Sequence, residues 1–234
     1  MNYENKNVVV TGSTGGMGLL LCERLAAMGA NLSLCSNNEA ELKKQAQELK
    51  DKYSVNIYSQ TLDISDENAV SSFFKNANEQ LGNFSALANL VGLSIPSKIS
   101  DTDMEVYDTI MNVNVKGTFL AGKYFSHYAE SPAIIVNIGS TAAKSANPNA
   151  PLYCTAKAAV NMLSQGMLLQ MGSKDIRVTT INPGGTDTPF WGDRPVDKTK
   201  LMIAEDVVDI IMFALTSSPR VQIHDIYFES SSRF

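Results

Sequence analysis

Seven short apolar runs, rich in β-branched and aromatic residues, recur along this chain with longer helical stretches between them. That alternation restricts the fold more than any other feature. "NVVVT" (7–11), "NLSLC" (31–35), "VNIYSQ" (55–60), "ALANLV" (86–91), "AIIVNI" (133–138), "RVTTIN" (177–182) and "DIYFE" (225–229) read as strands. Helical patterns fill 16–29, 38–53, 66–81, 103–130, 151–172 and 204–216. Parallel strands need crossover connections, and a helix is the usual one, so the pattern predicts an α/β fold. The expectation is a single-domain Rossmann fold, a doubly wound parallel sheet of seven strands with helices on both faces. Residues 184–200 carry glycines and prolines without periodicity and read as a loop.

Composition narrows the partners. The 234 residues include 44% hydrophobic and 18% charged side chains, enough for one large core, and no repeat or composition shift marks a second domain. A net charge of -5 disfavours a nucleic-acid partner held by phosphate neutralisation. The polar start "MNYENKN" lacks the basic and apolar regions of a signal peptide, and no 18-residue apolar window suggests a membrane span. A cytoplasmic location is therefore expected. Cys22, Cys35 and Cys154 form no C-x-x-C pair, and His127 and His224 have no metal-ligand spacing, so neither a disulfide framework nor a metal site is expected.

The first strand-to-helix turn reads "TGSTGGMG", Thr11 to Gly18. Glycines at such a turn let a pyrophosphate approach backbone N–H groups at the positive end of the helix dipole. A tight turn without ligand is the other reading. Further on, "PLYCTAKAAV" places Tyr153 and Lys157 four residues apart on a helix, hence on one face.

With these motifs the chain resembles the short-chain dehydrogenase/reductase family. Thr11 to Gly18 matches T-G-x-x-x-G-x-G, Asn114 to Gly117 matches N-V-x-G, and Tyr153 to Lys157 matches Y-x-x-x-K. Ser140 stands at the family's interval before that tyrosine, and Asn182-Pro183-Gly184 with Thr188 matches N-P-G-x-x-x-T. The matches run in order along nearly the whole chain. Two departures stand out: "NLVG" replaces N-N-A-G, keeping Asn89 and Gly92, and the family's C-terminal glycine pair is missing. The first should affect packing more than chemistry. The second is more like reductases of small hydroxy acids or diketones than acyl-carrier reductases.

The resemblance implies a nicotinamide-dependent oxidoreductase acting on a small or medium carbonyl/alcohol substrate, with a cofactor half over 1–92 and a catalytic half over 93–234. Tyr153 would be the general acid/base, Lys157 would hold the nicotinamide ribose, Ser140 would polarise the substrate oxygen, and Asn114 would hold a relay water. The implied cofactor contacts are Gly12, Ser13, Thr14, Gly16, Met17, Gly18, Ser36, Asn37, Asn38, Asp63, Ile64, Asn89, Gly92, Tyr153, Lys157, Pro183, Gly184, Thr186 and Thr188. Physically, an ammonium near a phenol favours the phenolate, so Lys157 is expected to move the Tyr153 pKa from its usual value toward neutrality. Each residue also has a plainer reading: Ser140 as a turn cap, Asn114 as a satisfied buried amide, Asp63 as the cap of the next helix.

At the end of the second strand, where an acidic residue marks an NAD site, the sequence reads Ser36-Asn37-Asn38. No carboxylate stands there to repel a 2'-phosphate, and the arginine of many NADP-using relatives is absent too. NADP(H) is favoured, with NAD(H) the alternative. The helices over 103–130 and 151–172 are apolar around much of their circumference, which predicts a homodimer or homotetramer. Phe190 and Trp191 could enclose an apolar group. Arg194 and Lys198 read as surface cations, with carboxylate pairing by Arg194 the other reading. A binding protein that senses the nucleotide without turnover is the competing function.

Overall fold

In the computed structural model, residues 1–233 are described, and seven parallel strands form one sheet in the order β3-β2-β1-β4-β5-β6-β7. The strands are β1 (Asn7–Thr11), β2 (Asn31–Ser36), β3 (Ile57–Thr61), β4 (Phe84–Asn89), β5 (Ala129–Ile138), β6 (Ile176–Pro183) and β7 (Asp225–Phe228). The helices are α1 (Gly16–Ala27), α2 (Glu39–Lys52), α3 (Glu67–Leu81), α4 (Met104–Met111), α5 (Gly117–Tyr128), α6 (Pro151–Met171) and α7 (Ala204–Thr216). The expected α/β architecture is the observed one.

Strand periodicity divides the core in two. Val8 and Val10 of β1 face a cluster with Leu21, Leu25, Val207 and Ile211 of α1 and α7, while Val9 faces Phe73, Phe74, Leu120 and Phe125 of α3 and α5. The second layer holds an aromatic chain in which Phe84 packs edge-on to Phe74 and stacks on Phe125. Burying each such ring contributes about 2–3 kcal/mol.

Element boundaries moved where tertiary contacts override the local pattern. The expected 103–130 helix is interrupted by a π-helical stretch at Asn112–Lys116, and residues from Ala129 onward have turned into β5. Leu90 and Val91, expected in β4, lie beyond its end and line the cavities described below. The 184–200 loop contains two short 3-10 turns, Pro189–Trp191 and Lys198–Lys200, and a bridge from Thr186 to Met202. No helix among the described residues is long and apolar enough to cross a membrane.

Chain progression reverses between β1 and β4, so their connections leave in opposite directions and open a crevice at the carboxyl ends of the strands. Ser140, the glycine turn and Ser36 all stand on those ends.

Candidate active site

Two adjoining cavities occupy the crevice and share Leu90 and Gly92 in their walls. One, of about 710 Å³, is lined by Gly12, Thr14 and Gly16 of the first turn, by Ser36, Asn37 and Asn38 after β2, and by Asp63 and Ile64 after β3. The other, of about 490 Å³, is lined by Ser140, Tyr153, Lys157, Met17, Pro183, Gly184, Thr186 and Thr188.

The glycine turn has the geometry a phosphate requires. Gly12 adopts φ +66°, which favours glycine. Gly15 is the N-cap of α1, so no side chain caps the helix's first N–H groups, and no acidic residue occupies the first turn to compete for them. Gly18 has a different reason for being glycine: a Cβ there would lie 2.4 Å from the Gly12 carbonyl oxygen. It closes the turn against the helix and lines neither cavity. Ser13 is also fully buried and outside both linings, its hydroxyl without a hydrogen-bond partner. Asn89 ties strands together: it accepts from Thr11 Oγ1 at 2.7 Å and donates to Asn137 Oδ1 at 3.3 Å.

The opposite end of the larger cavity is largely satisfied within itself. Ser36 Oγ lies 2.6 Å from Thr14 Oγ1 and accepts from the Asn38 backbone N–H, while Asn38 Oδ1 caps α2 through the Glu41 N–H. Glu41, Lys44 and Glu48 also line this cavity and were not singled out from the sequence. Their i, i+3 and i+4 spacing from Asn38 onward, on one face of α2, was the available signal. Asp63 accepts from Ser65 N–H and Oγ, both at 2.8 Å, and α3 is capped by Asp66 instead. The capping alternative for Asp63 is thereby corrected.

Ser140, just after β5, and Tyr153 and Lys157, both on α6, line the smaller cavity, and Asn114 stands beside Lys157 without lining it. The π stretch carries Asn114, whose Nδ2 donates to the carbonyls of Leu93 and Ile110, both at 2.9 Å. Its Oδ1 is buried without a partner, so the amide is only half satisfied. A Cβ added to Gly92 would lie 3.0 Å from both Asn114 Oδ1 and Lys157 Nζ, so these two atoms border the same small space. Lys157 is 2% exposed and donates to Ile138 O at 2.9 Å. Burial lowers its pKa to about 8.

Tyr153 departs from expectation. Its pKa is pushed up to about 12, because loss of solvent outweighs the hydrogen bond with Ser140 and the weaker attraction of Arg194. Lys157 Nζ stands 5.8 Å from the Tyr153 ring centroid and is committed to Ile138 O, so it does not draw the phenol toward neutrality. Tyr153 is a protonated phenol at neutral pH.

Ser140 is both a cap and a site residue. Its Oγ accepts from Ala142 N–H at 3.1 Å, while its own N–H donates to Asn182 Oδ1 at 3.0 Å. Asn182 Oδ1 also accepts from Asn161 Nδ2 at 2.9 Å, and Asn161 Oδ1 accepts from the Tyr227 hydroxyl at 3.2 Å. Gly139 makes room for this brace, since a Cβ there would fall 2.0 Å from Asn182 Oδ1. Gly139 and Asn161 were missed from sequence because nothing local distinguishes them.

The family model described as short chain dehydrogenase matches residues 6–199. The chain belongs to the short-chain dehydrogenase family. This short-chain dehydrogenase is 28% identical over 228 residues to an uncharacterized oxidoreductase of Staphylococcus saprophyticus, covering 97% of each chain. It is also 28% identical over 225 residues to one of Staphylococcus aureus, covering 95% of this chain and 96% of that protein. Among solved structures it is similar to a short chain dehydrogenase of Burkholderia cenocepacia in complex with NADP, with TM-score 0.91, 22% identity and full coverage of both chains. An alcohol dehydrogenase of the archaeon Thermococcus sibiricus, complexed with 5-hydroxy-NADP, gives TM-score 0.88 at 24% identity over 97% of each chain.

Proposed function

We propose that this oxidoreductase transfers hydride between a nicotinamide cofactor and a small or medium carbonyl/alcohol substrate, with Tyr153 as the acid/base residue. The observation that carries the reading is convergence: Ser140, Tyr153 and Lys157 line one cavity that adjoins the glycine-turn cavity, and Asn114 Oδ1 shares the small space beside Gly92 with Lys157 Nζ. A nucleotide sensor would need the second cavity but not the first set of groups.

The residues fit the cofactor. The uncapped start of α1 takes the pyrophosphate, Asp63 and Ile64 flank the adenine end, and Lys157 with Tyr153 stands where the nicotinamide ribose belongs. Gly92 borders both cavities, and Pro183, Gly184, Thr186 and Thr188 wall the one that holds Tyr153. When bound, the nicotinamide supplies the hydride for reduction or accepts it in oxidation. Ser140 hydrogen-bonds the substrate oxygen, and Tyr153 gives that oxygen its phenolic proton as the carbonyl carbon becomes an alcohol carbon. Asn114 Oδ1 accepts from a water that returns a proton toward Lys157 and then Tyr153. A phenol held protonated near neutral pH is poised for reduction.

NADP(H) is the proposed partner. Ser36 places no carboxylate against a 2'-phosphate, Lys44 adds a cation to the cavity wall, and both neighbours named above were solved with NADP or a derivative. Glu41 and Glu48 on the same wall are the observation favouring NAD(H), since a carboxylate can accept from ribose hydroxyls. The exposed Phe119 of α5 and Met162 and Leu169 of α6 support a homo-oligomer, which sedimentation at micromolar concentration tests.

The test is a fluorescence titration with NADPH and NADH followed by a screen of ketones and keto acids. Tighter NADPH binding with NADPH consumption is expected. Tight binding without turnover across the panel would favour the sensor.

A further inference from the structure

Arg194 does not behave as the surface cation its sequence suggests. Its guanidinium lies over two rings, 5.2 Å from the Phe190 centroid and 5.1 Å from the Trp191 centroid, and the side chain lines the cavity that holds Tyr153. Nε donates to Trp191 O at 2.8 Å and Nη2 to Phe190 O, which pins the side chain to its own turn. Nη1 is left without a hydrogen-bond partner among the described residues, and Arg194 enters no ion pair there. Lys198, its neighbour in the loop, is instead exposed and paired with Asp187 at 2.9 Å.

The charge of the cavity points the same way. Lys157 and Arg194 line it, and no aspartate or glutamate does. Lys157 lies at the buried end beside Gly92, whereas Arg194 and Tyr153 both pack on Phe190, 5.2 Å and 5.6 Å from its ring centroid. A substrate whose carbonyl meets Ser140 and Tyr153 therefore extends along Phe190 toward a fixed, planar, unpaired cation. Guanidinium donors suit a carboxylate, and a partly desolvated one binds it more strongly than a solvated one would.

From this geometry we infer that the substrate is a keto acid or the corresponding hydroxy acid, its carboxylate held by Arg194 while its carbonyl or alcohol faces Tyr153. The inference deepens the proposed oxidoreductase reading and rests on it for the placement of the reacting carbon.

The test compares 4-oxopentanoate and 5-oxohexanoate with their methyl esters, which keep the skeleton and remove the charge. Binding is measured by calorimetry in the presence of NADP+, where no hydride can move to a ketone. At least one acid should bind tenfold or more tightly than its ester. In Arg194→Gln that ratio should fall toward one, with ester affinity within about twofold of wild type. Equal binding of acid and ester by the wild type would overturn the proposal. So would an Arg194→Gln variant that weakens both equally, which would make Arg194 only a brace of its loop, or one that keeps the acid preference. Turnover with NADPH is read separately: acid-selective binding without any reduction would remove the oxidoreductase reading and leave the anion site standing.

Discussion

The two ends of the crevice are built from similar residue types and differ in how their hydrogen bonds close. At the end proposed for adenosine, Ser36, Thr14 and Asn38 satisfy one another and the start of α2. At the catalytic end, Lys157 is buried with only a backbone carbonyl as partner, and Asn114 keeps a buried oxygen unpaired. A buried polar group left unpaired costs about 1–3 kcal/mol; both ends carry such costs, through Ser13 Oγ and Gln45 Oε1 at one and Asn114 Oδ1 at the other, and the second adds the buried ammonium of Lys157. In the proposed reading the first end selects the cofactor. In the same reading the second holds groups ready for a reaction at the expense of stability.

Lys157→Met probes that contrast most strongly. Turnover should fall by about 100-fold or more for loss of a residue that serves the acid/base group, while resistance to urea at pH 7 should rise. The sign follows from linkage. The folded-state pKa is lowered to about 8, below the ordinary lysine value of 10.5, so the unfolded chain binds more protons between those values. Wild type is therefore penalised fully below pH 8 and recovers as pH climbs toward 10.5. The penalty is on the order of 3 kcal/mol, and losing the bond to Ile138 O offsets about 1 kcal/mol. A net gain of about 2 kcal/mol is expected at pH 7, shrinking above pH 8. Urea midpoints from pH 6 to 10 check this, and a variant less stable than wild type throughout would break the comparison.

Ser36→Asp should leave folding intact and move the NADPH-to-NADH preference toward NADH by about tenfold or more, worth roughly 1.4 kcal/mol. Fluorescence titration with both nucleotides measures it; an unchanged ratio would mean that Lys44 or Glu41, not position 36, governs the 2' position. The smallest effects separate two neighbouring aspartates. Asp66→Ala should cost about 1 kcal/mol of stability through the lost α3 cap, with cofactor affinity unchanged. Asp63→Ala should do the reverse, weakening cofactor binding a few-fold with little change in unfolding.

The sequence made the sheet legible because strand and helix periods alternate without ambiguity, and the glycine turn and Tyr153–Lys157 spacing are local patterns. The π stretch was not legible: Asn112–Lys116 looks helical, and neither its Gly117 N–H to Asn112 O bond nor the bonds from Asn114 to the carbonyls of Ile110 and distant Leu93 have a local signature. The Ser140 brace through Asn182, Asn161 and Tyr227 joins three elements that only the fold brings together. The direction of the Tyr153 shift was misjudged for a related reason. Spacing places Lys157 on the correct face, but burial and the bond to Ile138 O, which decide the electrostatics, belong to the tertiary structure. Arg194 likewise reads as a loop cation until the turn at Pro189–Trp191 folds it onto its own aromatic rings.

The central claim is that Tyr153 moves the proton, while Lys157 and the glycine turn carry most of the hold on the cofactor. The most direct measurement pairs NADPH affinity with reduction rate on one confirmed carbonyl substrate, in wild type and Tyr153→Phe. The account predicts affinities within about twofold and a rate lower by about 100- to 10,000-fold in the variant. Comparable rates at comparable affinity would contradict it.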